Sequence, residues 1–292
     1  MSVSSPTRPR RSAKARKERI VFALLSLSAL AVVIPVVAVI YFLISRGAPA
    51  ISWSFLTEMP RHAMREGGIL PALVGTFCLM TGTVLFSVPV GVFAAIYLTE
   101  YAGQNAFTRL IRLSIVNLAG VPSIVYGLFG FGLFVLFLHF GRSILAGSLT
   151  LALMVLPVVI TSAEEALLTV PKSFRDASLG LGATKWQTIW RVVLPNSAAG
   201  ILTGVILGVG RAIGETAPIM FTAAAFYLPR LPRSAFDDCM ALPYQLYVLA
   251  TETFNPSAKM QWGTALVLLM LVLGMSLIAA VIRNRFRRRR AW

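Results

Sequence analysis

Six long apolar runs divide this sequence, and each is long enough to cross a lipid bilayer as a helix. They cover residues 20–45, 69–98, 115–139, 144–163, 197–221 and 263–282. About 20 apolar residues suffice for a helix to span the hydrocarbon core. The first run exceeds the roughly 7–15 apolar residues of a signal peptide, so we expect it to be retained. The runs predict an all-α integral membrane protein with a six-helix domain over residues 20–282.

The composition excludes a soluble globular domain of this length. Hydrophobic residues make up 57% of the chain and charged residues only 13%, too little charge for a water-exposed surface. In a soluble protein the net charge of +16 would suggest nucleic acid as a partner. Here the basic residues border the apolar runs. We therefore assign them to lipid headgroups and to membrane orientation, and we expect no nucleic-acid partner.

The distribution of basic residues predicts the orientation of the spans. Lys and Arg number 19 in the tails 1–19 and 283–292 and the connections 100–114 and 164–195, against 7 in the remaining connections. Basic residues are enriched on the cytoplasmic side of membrane proteins. Both termini and the 164–195 connection are therefore predicted to be cytoplasmic, and the 228–262 connection is predicted to lie outside.

The sequence contains no catalytic or cofactor-binding motif. It lacks the GxxxxGK[ST] loop that binds ATP, and the HExxH and GxSxG patterns of hydrolases. Cys78 lies in an apolar run and Cys239 in a polar loop, so we expect no disulfide between them. Neither has metal-ligand spacing with His62 or His139. We expect a protein without enzymatic activity that binds no cofactor or metal itself.

The 164–195 connection has the pattern of a short helical hairpin. Asp176–Ser178 fits a short helix, and Gly182 then permits a sharp turn. Trp186 and Trp190 are four residues apart, so they share one face of a second, amphipathic helix. Two interpretations remain open from the pattern alone: a surface for a protein partner, or a hairpin that lies on lipid.

A signature runs through this connection. Asp176-Ala177-Ser178-x₃-Gly182-x₉-Val192-x-Leu194-Pro195 resembles the EAA-x₃-G-x₉-I-x-LP signature of permease subunits of bacterial ABC importers. Asp replaces Glu, Ser replaces the second Ala, and Val replaces Ile. The resemblance implies the type I ABC importer permease fold with a coupling helix that docks on a cytoplasmic ATPase. It also assigns the coupling contact, to Asp176, Ala177, Ser178, Gly182, Leu194 and Pro195.

Three further stretches resemble the phosphate permeases of that family. They are Gly120–Gly127, Arg211–Pro218 and Ala241–Gln245. The resemblance implies inorganic phosphate as the substrate and the bacterial inner membrane as the location. It implies four partners: a sister permease subunit, a cytoplasmic ATPase dimer that holds ATP and Mg²⁺, an extracytoplasmic phosphate-binding protein, and membrane lipid.

Two charges lie inside the fifth apolar run. A charged residue at the centre of a span costs at least about 2.5–3.5 kcal/mol, so it usually faces protein or a water-filled path. Arg211 and Glu215 are four residues apart and can pair on one helical face, with Gly200, Gly204 and Gly208 close to that face. We expect the glycines to let a partner helix or a substrate approach.

The pair permits two interpretations. In the first, Arg211 binds the anion. Glu215 holds the Arg211 side chain in place and lowers its affinity for the anion, and Thr216 adds a hydroxyl to the site. In the second, the pair only locks two helices together. A different oxyanion (sulfate, molybdate or phosphonate) and a proton-driven secondary carrier also remain open as alternatives. The 228–262 connection carries four charged residues, Arg230, Arg233, Asp237 and Asp238. It is either a docking surface for the binding protein or an ordinary surface loop.

Overall fold

The computed structural model describes residues 10–103, 105–253 and 257–288, and nearly all secondary structure there is helical. The helices are α1 (Arg10–Gly47), α2 (Trp53–Thr57), α3 (Leu70–Ile96), α4 (Ala106–Ala119), α5 (Ser123–Gly130), α6 (Ile144–Leu168), α7 (Lys172–Gly180), α8 (Lys185–Thr188), α9 (Leu194–Ile213), α10 (Ala217–Thr222), α11 (Leu242–Thr251) and α12 (Ala258–Arg288). Strands β1 (Pro60–Arg61) and β2 (Glu66–Gly67) pair antiparallel between α2 and α3. The predicted basic tails lie partly outside the described residues, and their described parts continue α1 and α12.

Within the described residues, five helical segments are long and apolar enough to cross a membrane. They are Glu18–Ala50, Leu70–Tyr101, Ile144–Leu168, Lys185–Ile213 and Ala258–Arg285. A sixth crossing results if the bent pair Ala106–Ala119 and Ser123–Phe137 forms one span. The predicted class, a helical membrane protein with several spans, agrees with this architecture.

The predicted run 115–139 is not one straight helix. It is divided between the helical segments Ala106–Ala119 and Ser123–Phe137, which meet at an angle of 103°. Pro122 lies at the break; it has no backbone N–H, and its ring disfavours a helical conformation at the preceding Val121. The first half therefore belongs to α4, and α5 begins only at Ser123.

Helix α6 lies at the centre of the bundle, and α1 lies at its edge. In the most apolar 18-residue stretch of α6, 67% of the residues are buried by the rest of the chain. In the corresponding stretch of α1, none are. Glycines of α3 permit its close packing on α6. A methyl group added at Gly82 would lie 2.3 Å from Ser148 Oγ, and one at Gly91 would lie 2.6 Å from a Val159 methyl.

The segment between α10 and α11 folds onto the start of α6. The backbone N–H groups of Ser143 and Ile144 donate to the carbonyls of Thr222 and Asp237, both at 2.9 Å. These bonds satisfy donors that a helix N-terminus leaves unpaired. Cys239 lies in this connection, as expected, but it is only 1% exposed, because the segment packs into the bundle beside Gly75.

Candidate functional site

The predicted ion pair forms at the end of α9. Arg211 Nε lies 3.5 Å from Glu215 Oε1. The helix ends at Ile213, so the two residues are joined by a turn in which the N–H of Glu215 donates to the Ala212 carbonyl at 3.2 Å. Pro218 explains the break, because in a continuing helix its ring would clash with the carbonyl four residues earlier. It lies instead in the first turn of α10, where no N–H is needed.

The two partners of the pair face different environments. The Arg211 side chain is 56% exposed, whereas that of Glu215 is 19% exposed. Glu215 borders an internal cavity of about 10 Å³, which has room for roughly one water molecule. Thr216 is half-buried directly before α10. The guanidinium is therefore accessible from the surface of the chain, and the carboxylate lies on its buried side.

The structure brings the two other resembling stretches, Gly120–Gly127 and Ala241–Gln245, together around this pair. Gly127 of α5 contacts the start of α10: a methyl group there would lie 2.8 Å from the Ala217 carbonyl oxygen and 3.0 Å from Pro218 Cα. Ala241 and Pro243 border the same small cavity as Glu215. Segments that are far apart in the sequence thus form one cluster.

The glycines of α9 serve as a packing surface for α6. A methyl group at Gly204 would lie 2.1 Å from Ser162 Cβ, and one at Gly200 would lie 2.6 Å from Ala166 Cβ. We expected a partner helix or a substrate to approach this face of α9. The helix that packs there is α6 of the same chain. The methyl positions at Gly200 and Gly204 are filled by α6, although both glycines also border an open cavity of about 420 Å³ between α6 and α9.

This packing predicts opposite outcomes for two glycines on one helix. Gly204→Ala should lower the free energy of unfolding by about 1–3 kcal/mol, because the added methyl overpacks the α6–α9 contact. Gly210→Ala is the matched control, since an added methyl there meets no described atom within 4 Å. The measurement is the thermal stability of the two purified variants in detergent. Equal stability of both variants would contradict the assigned packing.

The predicted coupling residues divide between two places. Asp176 and Ala177 are exposed on α7, and the Ser178 hydroxyl lies 2.9 Å from the Thr188 hydroxyl, which ties α7 to the end of α8. Leu194 and Pro195, in contrast, lie in the first turn of α9. The connection was predicted over 164–195, but α6 continues to Leu168 and a helical run resumes at Lys185.

The turn between α7 and α8 has a defined geometry. Gly182 has φ +86°, a left-handed conformation that glycine adopts without steric cost. Its N–H donates to the Leu179 carbonyl at 2.9 Å, which closes the end of α7. Thr184 and Gln187 then form a reciprocal capping box that starts α8. The predicted helix–turn–helix is thus present, with Trp186 and Trp190 stacked at 5.8 Å on one face.

Comparison with known proteins decides the family. A family model described as the binding-protein-dependent transport system inner membrane component matches residues 87–291. The chain belongs to this family. It is a multi-pass inner-membrane transport component, and the matched region includes α7, the ion pair and the cluster around it.

Curated relatives resemble this transport component over most of its length. The phosphate transport system permease protein PstA of Mycobacterium leprae is 38% identical over 261 residues, covering 88% of this chain and 85% of that protein. PstA of Haemophilus influenzae is 34% identical over 236 residues, covering 80% and 82%. A subunit of a bacterial alginate ABC transporter, solved with a periplasmic protein bound to alginate pentasaccharide, superposes with a TM-score of 0.67, covering 95% of this chain and 98% of that one. At 14% identity this shows a common fold alone.

Among the ion pairs of this transport component that the sequence did not predict, two join segments that are far apart in the chain. Arg175 of α7 pairs with Glu100, and Arg112 of α4 pairs with Glu164 near the end of α6. One sequence signal was available: Glu100 is an acidic residue directly after an apolar run, where it needs a basic partner if it is buried. Which basic residue is that partner depends on how the helices pack.

Proposed function

We propose that this chain is the transmembrane permease subunit of an ATP-driven ABC importer that brings inorganic phosphate into the cell. Its similarity to proteins named as phosphate permeases over most of its length supports the substrate. The observation that carries the proposal is the exposed guanidinium of Arg211 at the end of a membrane helix, with Glu215 behind it.

Arg211 suits this substrate chemically. A guanidinium offers planar, parallel N–H donors that can bind two oxygens of one phosphate at once. Glu215 orients the side chain and competes for its donors, so the anion can leave again. Thr216 offers a hydroxyl close by. No covalent step is required of this chain, so it needs no catalytic residue or cofactor.

The coupling role falls to α7 and the turn after it. Asp176 and Ala177 face outward, and Leu181 at the turn is 90% exposed, which leaves an apolar side chain available to a partner. In our proposal this surface docks on a cytoplasmic ATPase dimer that binds ATP and Mg²⁺. Closure of the dimer brings the coupling helices together and switches the spans from inward-facing to outward-facing.

The remaining partners follow from this arrangement. A sister permease supplies the other half of the path, and both termini of this chain lie in the cytoplasm. The connection 228–262, on the outer side of the membrane, is a preformed surface for a phosphate-binding protein. There Arg230 lies 3.4 Å from Asp238, and the backbone N–H groups of Arg233 and Ser234 hold the pKa of Asp237 below its usual 3.8.

Competition for uptake tests the substrate. The complete transporter with its binding protein, in proteoliposomes, should accumulate labelled phosphate, and excess sulfate, molybdate or phosphonate should leave the rate unchanged. Suppression of uptake by one of these anions, with transport of that anion instead, would assign the chain to the other oxyanion.

A further inference from the structure

The cytoplasmic end of α3 is a meeting point of three other elements. Residues Tyr97–Tyr101 continue α3 as a π-helical turn, in which the N–H of Ala102 donates to the Tyr97 carbonyl at 2.8 Å. We call Tyr97–Tyr101 the α3 joint. Single π-helical turns are rare and occur frequently at functional sites. The contacts of this joint show what it connects.

Arg175 is the main contact of the α3 joint. Its Nε and Nη2 atoms donate to Glu100 Oε1 at 3.0 and 2.8 Å. The same guanidinium donates to the Val170 carbonyl at 2.6 Å and the Leu167 carbonyl at 3.0 Å, at the end of α6. The side chains are only 18% and 10% exposed, so water screens this pair weakly. One side chain of α7 thus joins both α3 and α6.

Two further basic residues contact the same joint. Lys185 at the start of α8 lies 4.7 Å from the centre of the Tyr101 ring, a cation–π contact. Arg112 donates to the Leu98 carbonyl at 2.8 Å and pairs with Glu164. Helices α7 and α8 are therefore both attached to the α3 joint by side chains.

The other half of α3 reaches the candidate anion site. Thr76, Leu79 and Thr83 border the small cavity that Glu215 also borders. Helix α3 is continuous between this region and the joint, a distance of about 25 Å at about 1.5 Å per residue. One unbroken helix, with Pro89 inside it, thus joins the anchoring point of α7 to the vicinity of the ion pair.

We propose that Arg175 is the positioning residue that transmits movement of α7 to α3, and through α3 to the surroundings of Glu215. The inference rests on the proposed function and adds a second route beside the covalent one through α8 and α9. The backbone between α7 and α8 turns at Gly182, whereas the Arg175 contacts fix α7 directly to two long helices. Displacement of α7 by an ATPase therefore displaces the α3 joint.

Arg175→Lys and the double variant Arg175→Gln with Glu100→Gln test this role. Lysine keeps the charge, but its three N–H donors share one nitrogen and cannot reproduce the four hydrogen bonds that Arg175 makes to Glu100, Leu167 and Val170. The double variant removes both charges and leaves neither buried alone. In the reconstituted transporter both should assemble and hydrolyse ATP, and phosphate moved per ATP should fall about tenfold. Arg109→Gln, an exposed arginine of α4, is the matched control and should leave the ratio unchanged.

The outcomes separate this inference from the proposed function. If the native transporter moves no phosphate with ATP, the proposed function fails before the variants are compared. A native complex that transports, together with variants whose phosphate-to-ATP ratio equals the native ratio, would overturn the role of Arg175 alone. Loss of assembly in both variants would also overturn it, because the contacts would then serve folding rather than transmission.

Discussion

Replacing Arg211 with Gln is expected to lower phosphate uptake about 10- to 100-fold, while the transporter still assembles. A hydrogen bond to a charged group contributes about 1.5–3 kcal/mol, and Gln keeps one amide donor in place of the bidentate pair, so the net loss is about one such bond. The side chain is largely exposed, so its removal opens no cavity in the bundle. The measurement is the initial rate of labelled phosphate uptake at equal amounts of assembled complex.

Two further variants sharpen this result. Arg109→Gln removes an exposed arginine outside the cluster and should leave uptake unchanged. Glu215→Gln removes the competing carboxylate, so it should lower the KM for phosphate and slow turnover. Native uptake by an assembled Arg211→Gln complex would contradict a role in the anion path. Failure of that complex to assemble would support the interpretation that the pair only locks helices together.

Replacing Gly182 with Val is expected to uncouple ATP hydrolysis from transport without removing the protein from the membrane. At φ +86° a β-branched residue is strained by about 1–2 kcal/mol or more, so α7 would leave its position relative to α8. No described atom lies within 4 Å of a methyl group added at this glycine. The effect therefore arises from the backbone rather than from a steric clash.

Asparagine gives the control at this position. Gly182→Asn should retain most of the coupling, because Asn adopts the left-handed conformation more readily than other residues with a side chain. The measurement is ATP hydrolysis with and without phosphate-loaded binding protein. The Val variant should lose the stimulation and the Asn variant should keep it. Equal stimulation in both variants would show that the turn geometry does not control coupling.

Local rules were sufficient for much of the fold and for part of the site. The apolar runs predicted the spanning helices, and the spacing of Arg211 and Glu215 predicted their pairing. Trp186 and Trp190 share a face, as their spacing requires. Even the bend before α5 has a local contribution, because Pro122 has no N–H to donate and its ring disfavours a helical conformation at Val121. These features depend on residues within a few positions of one another.

Contacts between distant segments could not be predicted in this way. Arg175 and Glu100 are 75 positions apart, and only the packing of α3 against α6 brings them together. The glycines of α9 indicated a close neighbour, but no local rule identifies α6 as that neighbour. The sequence places Cys239 in a polar loop. Its burial could not be predicted, because it depends on backbone hydrogen bonds between this segment and the start of α6.

The most direct test of the account is the energy source for phosphate entry. The purified complex of this chain with its sister permease, ATPase and binding protein is placed in sealed vesicles, with nucleotide on the ATPase side and labelled phosphate on the other. We predict accumulation with hydrolysable ATP, none with a non-hydrolysable analogue, and none with a proton gradient alone. Accumulation driven by the proton gradient in the absence of ATP would contradict the account and identify a secondary carrier.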